Sequence, residues 1–129
     1  MFVLTLSSKA QSQTATLSPQ KMETIKPMAH KQRTYRSLTL DNELRVLLIS
    51  DPTVNKSSAA LSINVGSFQN PAEHLGLAHY LEHLLFLGTK KYPDPNSYTA
   101  YLNSNKGYSN AYTAGEETNY FFEVNHEGF

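Results

Sequence analysis

Cysteine is absent from this 129-residue sequence. That excludes a disulfide framework and a thiolate metal site, so any metal must be held by His, Asp or Glu. An excess of either charge is also absent, with eleven Lys plus Arg against eleven Asp plus Glu. Nothing in the overall balance suits binding to nucleic acid or to an anionic membrane, and no nucleic-acid partner is expected. Long apolar runs are missing too: the longest, residues 46–49 and 84–87, fall far short of the roughly 18 residues that span a bilayer. No membrane segment is expected. The length accommodates one domain with a real core and not two of ordinary size.

Residues 7–33 are rich in Ser, Thr, Gln and Lys without sustained periodicity. Residues 1–33 therefore read as a flexible leader, and 34–129 as the folded part. The opening MFVLTL, followed by Ser8-Lys9-Ala10, resembles the end of a secretory h-region with a small-x-small cleavage site, though without a basic n-region. A remnant of a signal peptide would place the protein in a periplasmic or secreted setting; an ordinary polar tail would leave it cytoplasmic.

Beyond the leader, residues 35–40 and 44–50 are β-branched and Leu-rich runs separated by Asp41-Asn42-Glu43, which predicts a hairpin. In 59–65, Leu61, Ile63 and Val65 alternate with Ser62 and Asn64, as in a half-buried third strand. Asn70-Pro71-Ala72-Glu73 has the form of a helix start, with the helix running to about Leu87 and ending at Gly88. A second helix is expected over 97–104, capped by Asp94 or Asn96, and two further strands over 108–113 and 118–125. The order βββααββ implies an α+β fold, a largely antiparallel sheet covered by helices on one face.

The first helix contains His79-Tyr80-Leu81-Glu82-His83, the inverse of the familiar His-Glu-x-x-His zinc signature. At about 100° per residue the two His and the Glu project from one side of a helix. Leu77, Leu81, Leu84 and Leu85 take the other side, which would be the one to bury. Imidazoles at i and i+4 can close on one Zn2+, and the adjacent carboxylate can accept a proton from a water activated by the metal. That is chemistry for hydrolysing a carbonyl compound, most naturally a peptide bond. Given this composition, the pattern arises by accident at a rate on the order of 0.01, and the competing reading is a helix that shows two His and a Glu to solvent.

The motif stands within GLAHYLEHLLFLGTKKYP (76–93), which closely resembles the insulinase and pitrilysin family of zinc endopeptidases. YRSLTLDNELRVLLISDP (35–52) resembles that family's opening hairpin and SNAYTAGEETNY (109–120) its substrate-side strand, so the similarity covers about residues 34–129. Gly88-Thr89-Lys90-Lys91-Tyr92-Pro93 leans toward the insulin-degrading and pitrilysin branch. The resemblance implies His79 and His83 as zinc ligands and Glu82 as general base. It also implies Asn110 and Ala111 on an edge strand that pairs with an extended peptide or small unfolded protein. By the same resemblance the third ligand is a Glu on a later helix, expected past Phe129 with the remainder of the enzyme, so the chain is read as an N-terminal fragment. Glu116, Glu117, Glu123 and Glu127 do not match that position and read as surface charges.

Other candidates read as structural. His74 sits well around the helix from the motif, while His30 and His126 lack partners at useful spacing. Six Tyr between residues 80 and 112 read as packing groups rather than a base-stacking platform, because no basic groove accompanies them. The rival to a protease is a non-catalytic binding or scaffolding member of the same architecture. A third reading is a small independent metal-binding domain.

Overall fold

The computed structural model describes Phe2–Leu6, Lys21–Thr24 and residues 32–129. Seven strands, β1 (Phe2–Leu6), β2 (Lys21–Thr24), β3 (Thr34–Thr39), β4 (Arg45–Ser50), β5 (Lys56–Ile63), β6 (Tyr108–Thr113) and β7 (Thr118–Asn125), form one sheet. Two helices, α1 (Leu77–Leu84) and α2 (Ser97–Ser104), lie between β5 and β6 in sequence. The sheet order is β2-β3-β4-β1-β5-β7-β6. Every neighbouring pair is antiparallel except β1 with β5. The fold is α+β with a largely antiparallel sheet, and over residues 34–129 its order is βββααββ, as expected.

Two stretches of the span expected to be a flexible leader are strands. Phe2–Leu6 pairs with both β4 and β5, and Lys21–Thr24 extends the sheet beyond β3. The polar composition of 7–33 gives no sign of a strand, and the apolar Phe2–Leu6 fits where β4 and β5 each offer a row of main-chain donors and acceptors, both of which β1 satisfies at once. The rest of that span up to residue 31, including Ser8 and Ala10 of the small-x-small pattern, lies outside the described residues.

Local sequence accounts for the remaining strands. β4 is half-buried at Val46, Leu47, Leu48 and Ile49 alike, as suits a continuous apolar run flanked by strands on both sides. Its turn from β3 is closed by Leu40 N–H to Leu44 O and Glu43 N–H to Leu40 O, both 2.9 Å. β6 instead alternates exposed and half-buried at every residue. That is the signature of an edge strand covered on one face. Register pairs Ser109 with Phe122, Ala111 with Tyr120 and Thr113 with Thr118, so these side chains share the face on which the helices lie.

Helix α1 is shorter than its apolar pattern predicts. Residues 71–76 form turns, and the helix begins after Gly76, whose φ of +87° lies in the left-handed region. Asn70 nonetheless caps it from a distance, its Oδ1 accepting from Ala78 N–H at 2.9 Å. At the other end Phe86 N–H bonds His83 O and Leu87 N–H bonds Leu84 O, a tightening of the last turn to i→i+3 pairing. Gly88, at φ +101°, stops the coil as expected. α2 spans the predicted residues; the cap position is Asn96, which makes no side-chain cap bond, while Asp94 O accepts from Ser97 N–H and Oγ.

The sheet-facing stripe of α1 is the reverse of the one expected from the leucines. Ala78 and Phe86 are half-buried and Glu82 is only 7% exposed, whereas Leu77, Leu81, Leu84 and Leu85 are exposed. The spacing of four residues from 78 to 82 to 86 places these three over β6 and β7. Phe86 meets Tyr98 at a ring separation of 5.9 Å, joining the end of α1 to α2. Among the described residues, Leu102 of α2 and Val124 of β7 are the most deeply buried apolar side chains, at 4% and 0% exposure.

Candidate active site

Three side chains of α1 converge. His79 Nε2 lies 3.2 Å from His83 Nε2, and His79 Nδ1 lies 3.3 Å from Glu82 Oε2. One ligand atom from each of the three falls within 4.8 Å of the others, the one such acidic and imidazole group among the described residues. Both His are exposed, and the rings meet edge to face with centroids 4.7 Å apart. Glu82 is the buried member because it lies on the side of His79 away from His83 and reaches Thr113 of β6.

The donor set fits a zinc ion. Two zinc–nitrogen bonds of the usual length to atoms 3.2 Å apart would subtend about 103°, close to tetrahedral. Without a cation, two facing imidazole nitrogens at that separation need a proton on one of them. Convergence of both Nε2 atoms on one point, open to solvent and beside a carboxylate, is what an i, i+4 histidine pair offers a metal.

Glu82 does not rest on α1 alone. Thr113 Oγ1, at the end of β6, donates to Glu82 Oε2 at 2.5 Å. Sequence reasoning passed over Thr113; the signal was the period-two register of β6, which puts residue 113 on the same face as Ala111. Tyr120 stands across from Ala111, and its phenol is pushed above the ordinary range by burial and then by the negative charge of Glu82.

Asn110 and Ala111 point to opposite faces of β6, Ala111 toward the helices and Asn110 away from them. Ala114 N–H bonds Glu117 O, so by antiparallel alternation the main chains of residues 112 and 110 also face β7. Those of Ser109, Ala111 and Thr113 face the open edge. Asn110 Oδ1 accepts from Ala111 N–H at 2.9 Å, occupying the edge donor with a local side chain.

The other expected residues stand apart. His74 is exposed and outside the convergent group. His126, which has no partner at useful spacing along the sequence, finds two in space: Nε2 donates to Val54 O at 2.9 Å, and Nδ1 shares a hydrogen bond with Ser57 Oγ at 2.7 Å. The partners come from 69 and 72 residues away, beyond the reach of any local spacing argument. Among the acids, Glu123 pairs with Lys56 at 2.6 Å and Glu117 accepts from Tyr112, so neither reaches the site. No helix among the described residues is long and apolar enough to cross a membrane.

Residues 45–129 match the family described as insulinase, peptidase family M16. This chain belongs to the insulinase family. It is 56% identical over 96 residues to human insulin-degrading enzyme, a stretch that covers 74% of this chain and 9% of that protein. The A-factor-processing enzyme of Saccharomyces cerevisiae is 53% identical over 96 residues, with the same two coverages. The crystal structure of pitrilysin superposes with a TM-score of 0.72 at 40% identity, covering 83% of this chain and 12% of that one. This insulinase-family chain thus spans about a tenth of the length of the relatives it matches.

Proposed function

We propose that this chain carries the metal-binding helix and the substrate edge strand of a zinc-dependent endopeptidase. The observation that carries the reading is the pair of Nε2 atoms 3.2 Å apart beside a buried carboxylate, on a helix inside the segment matched to the peptidase family. His79 and His83 would hold the ion. A bound zinc supplies Lewis-acid chemistry that makes water a usable nucleophile near neutral pH. Glu82 receives the proton of the attacking water and passes it to the leaving amine. Both contacts described for its carboxylate fall on Oε2, from Thr113 and His79, so Oε1 is the oxygen we assign to the proton.

The substrate is a peptide or small unfolded protein in extended conformation. It adds to the open edge of β6 and pairs with the main chain of Ala111, while Asn110 Oδ1 releases the Ala111 N–H to it. Relatives named for insulin degradation and A-factor processing support peptides as the substrate class.

Two imidazoles fall one short of the three protein ligands usual for catalytic zinc. Coordination in this reading is completed by an acidic side chain from outside the described residues. Calorimetric titration of the 129-residue chain should accordingly show weak zinc binding and no cleavage of an unstructured peptide. The full-length gene product should bind one zinc tightly and cleave that peptide in a Glu82-dependent way. Tight one-to-one binding with cleavage by the 129-residue chain would refute the shared-ligand assignment; a full-length product that cleaves with no zinc bound would refute the reading as a whole.

A further inference from the structure

One side chain joins α1 to the open edge of the sheet. Thr113 Oγ1 donates to Glu82 Oε2 at 2.5 Å in a partly buried setting, and Glu82 is the buried residue of its helix. Thr is stiff at χ1 because its side chain branches at Cβ, so the position of Oγ1 is set by the strand. A Glu on a helix has three side-chain torsions and would otherwise sample several rotamers. The bond removes that freedom and leaves Oε2 engaged.

Thr113 has a second tie to the edge. Its register partner is Thr118, next to the hydrogen-bonded pair of Ala114 and Glu117, so its main-chain N–H and C=O point away from β7 to the same side as those of Ala111. A peptide pairing along β6 would bond to the main chain of the residue whose hydroxyl holds the carboxylate. The geometry points to Thr113 as a positioning residue: it fixes Glu82 from the substrate strand, and thereby links seating of the peptide to placement of the base. This rests on the reading of Glu82 as general base.

The experiment uses the zinc-loaded full-length gene product with Thr113→Val, which keeps the branched shape but loses the donor, and Thr113→Ser, which keeps the donor. Loss of a hydrogen bond to a charged group predicts a kcat reduced about 10- to 100-fold in Thr113→Val. KM and zinc content should stay within about twofold, and Thr113→Ser should recover to within about threefold of wild type. In a Glu82→Gln background Thr113→Val should slow the residual rate no further, because positioning an amide that cannot take a proton gains nothing. Turnover independently, the Glu82 carboxyl 13C resonance of metal-free protein should move in Thr113→Val and hold in Thr113→Ser. Thr113→Ala carries the same readings where Thr113→Val does not fold. A kcat for the donorless variant within about threefold of wild type, a Thr113→Ser variant as slow as Thr113→Val, or an unmoved resonance overturns the proposal. Failure of the general-base reading is seen separately, as near-normal turnover in Glu82→Gln alone.

Discussion

Replacing Glu82 by Gln in the full-length gene product should abolish most hydrolysis while leaving the metal in place, and the structure allows the size of the loss to be stated. Glu82 is 7% exposed and its Oε2 accepts from Thr113 Oγ1. A Gln side chain is isosteric, and its carbonyl oxygen can accept the same bond, so position and stability should be preserved to within about 1 kcal/mol. His79 and His83 keep their Nε2 pair at 3.2 Å because their geometry is fixed by the helix, and Glu82 is not counted among the ligands. What disappears is proton acceptance, a contribution of about 100- to 10,000-fold in rate, equivalent to about 3–5 kcal/mol of barrier. The loss should appear in kcat and in kcat/KM alike, since the proton is taken only as the bond is attacked. The assay is steady-state cleavage of an unstructured fluorogenic peptide, with zinc per protein measured on the same samples. A metal-loaded Glu82→Gln enzyme within about tenfold of wild type would show that another group takes the proton.

Three further expectations follow from the same geometry. His79→Ala or His83→Ala should lose both zinc and activity, as read by calorimetry and peptide cleavage, because a single imidazole cannot hold the ion at this site. Ala111→Pro should raise KM for an extended peptide several-fold with zinc content unchanged, since Pro removes the edge donor now held by Asn110 Oδ1; an unaltered KM would remove Ala111 from the binding edge. Asp51 is held well below the usual carboxylate range, first by the Thr53 hydroxyl and then by Arg33 and the Thr53 N–H. A depressed folded pKa contributes stability that is present above the unfolded value of about 3.9 and fades as pH falls through the folded one. Asp51→Asn should therefore lower the urea midpoint at pH 7, by a gap that begins to narrow as pH falls below about 4; a gap that stays constant from pH 7 down to about pH 2 would rule out the ionised carboxylate as the cause.

The recurring features of this chain were legible wherever a short stretch carries its own physical signal. β6, β7 and α2 lie where alternation and turn chemistry predict them: β6 is an edge strand with one covered face and must alternate, and a helix as short as α2 is set by its ends. The motif itself was equally readable, since i, i+3 and i, i+4 spacing brings side chains together on any helix. Local patterning could not decide which side of α1 the protein buries. Counting leucines selects Leu77, Leu81, Leu84 and Leu85, yet β6 and β7 cover Ala78, Glu82 and Phe86, because the packing partner sets the buried stripe.

By itself the sequence determined the His-x-x-Glu-His motif, the α+β element order from residue 34 onward and the family resemblance, all of which depend on residues close together along the chain. Tertiary structure decided the rest. Phe2–Leu6 became a strand in the middle of the sheet because two distant strands left main-chain groups to satisfy. Glu82 became a buried, fixed carboxylate because Thr113, 31 residues away, reaches it from the sheet edge. A contact of that kind leaves no periodicity in either segment, so only the fold that brings the helix onto the strand could reveal it.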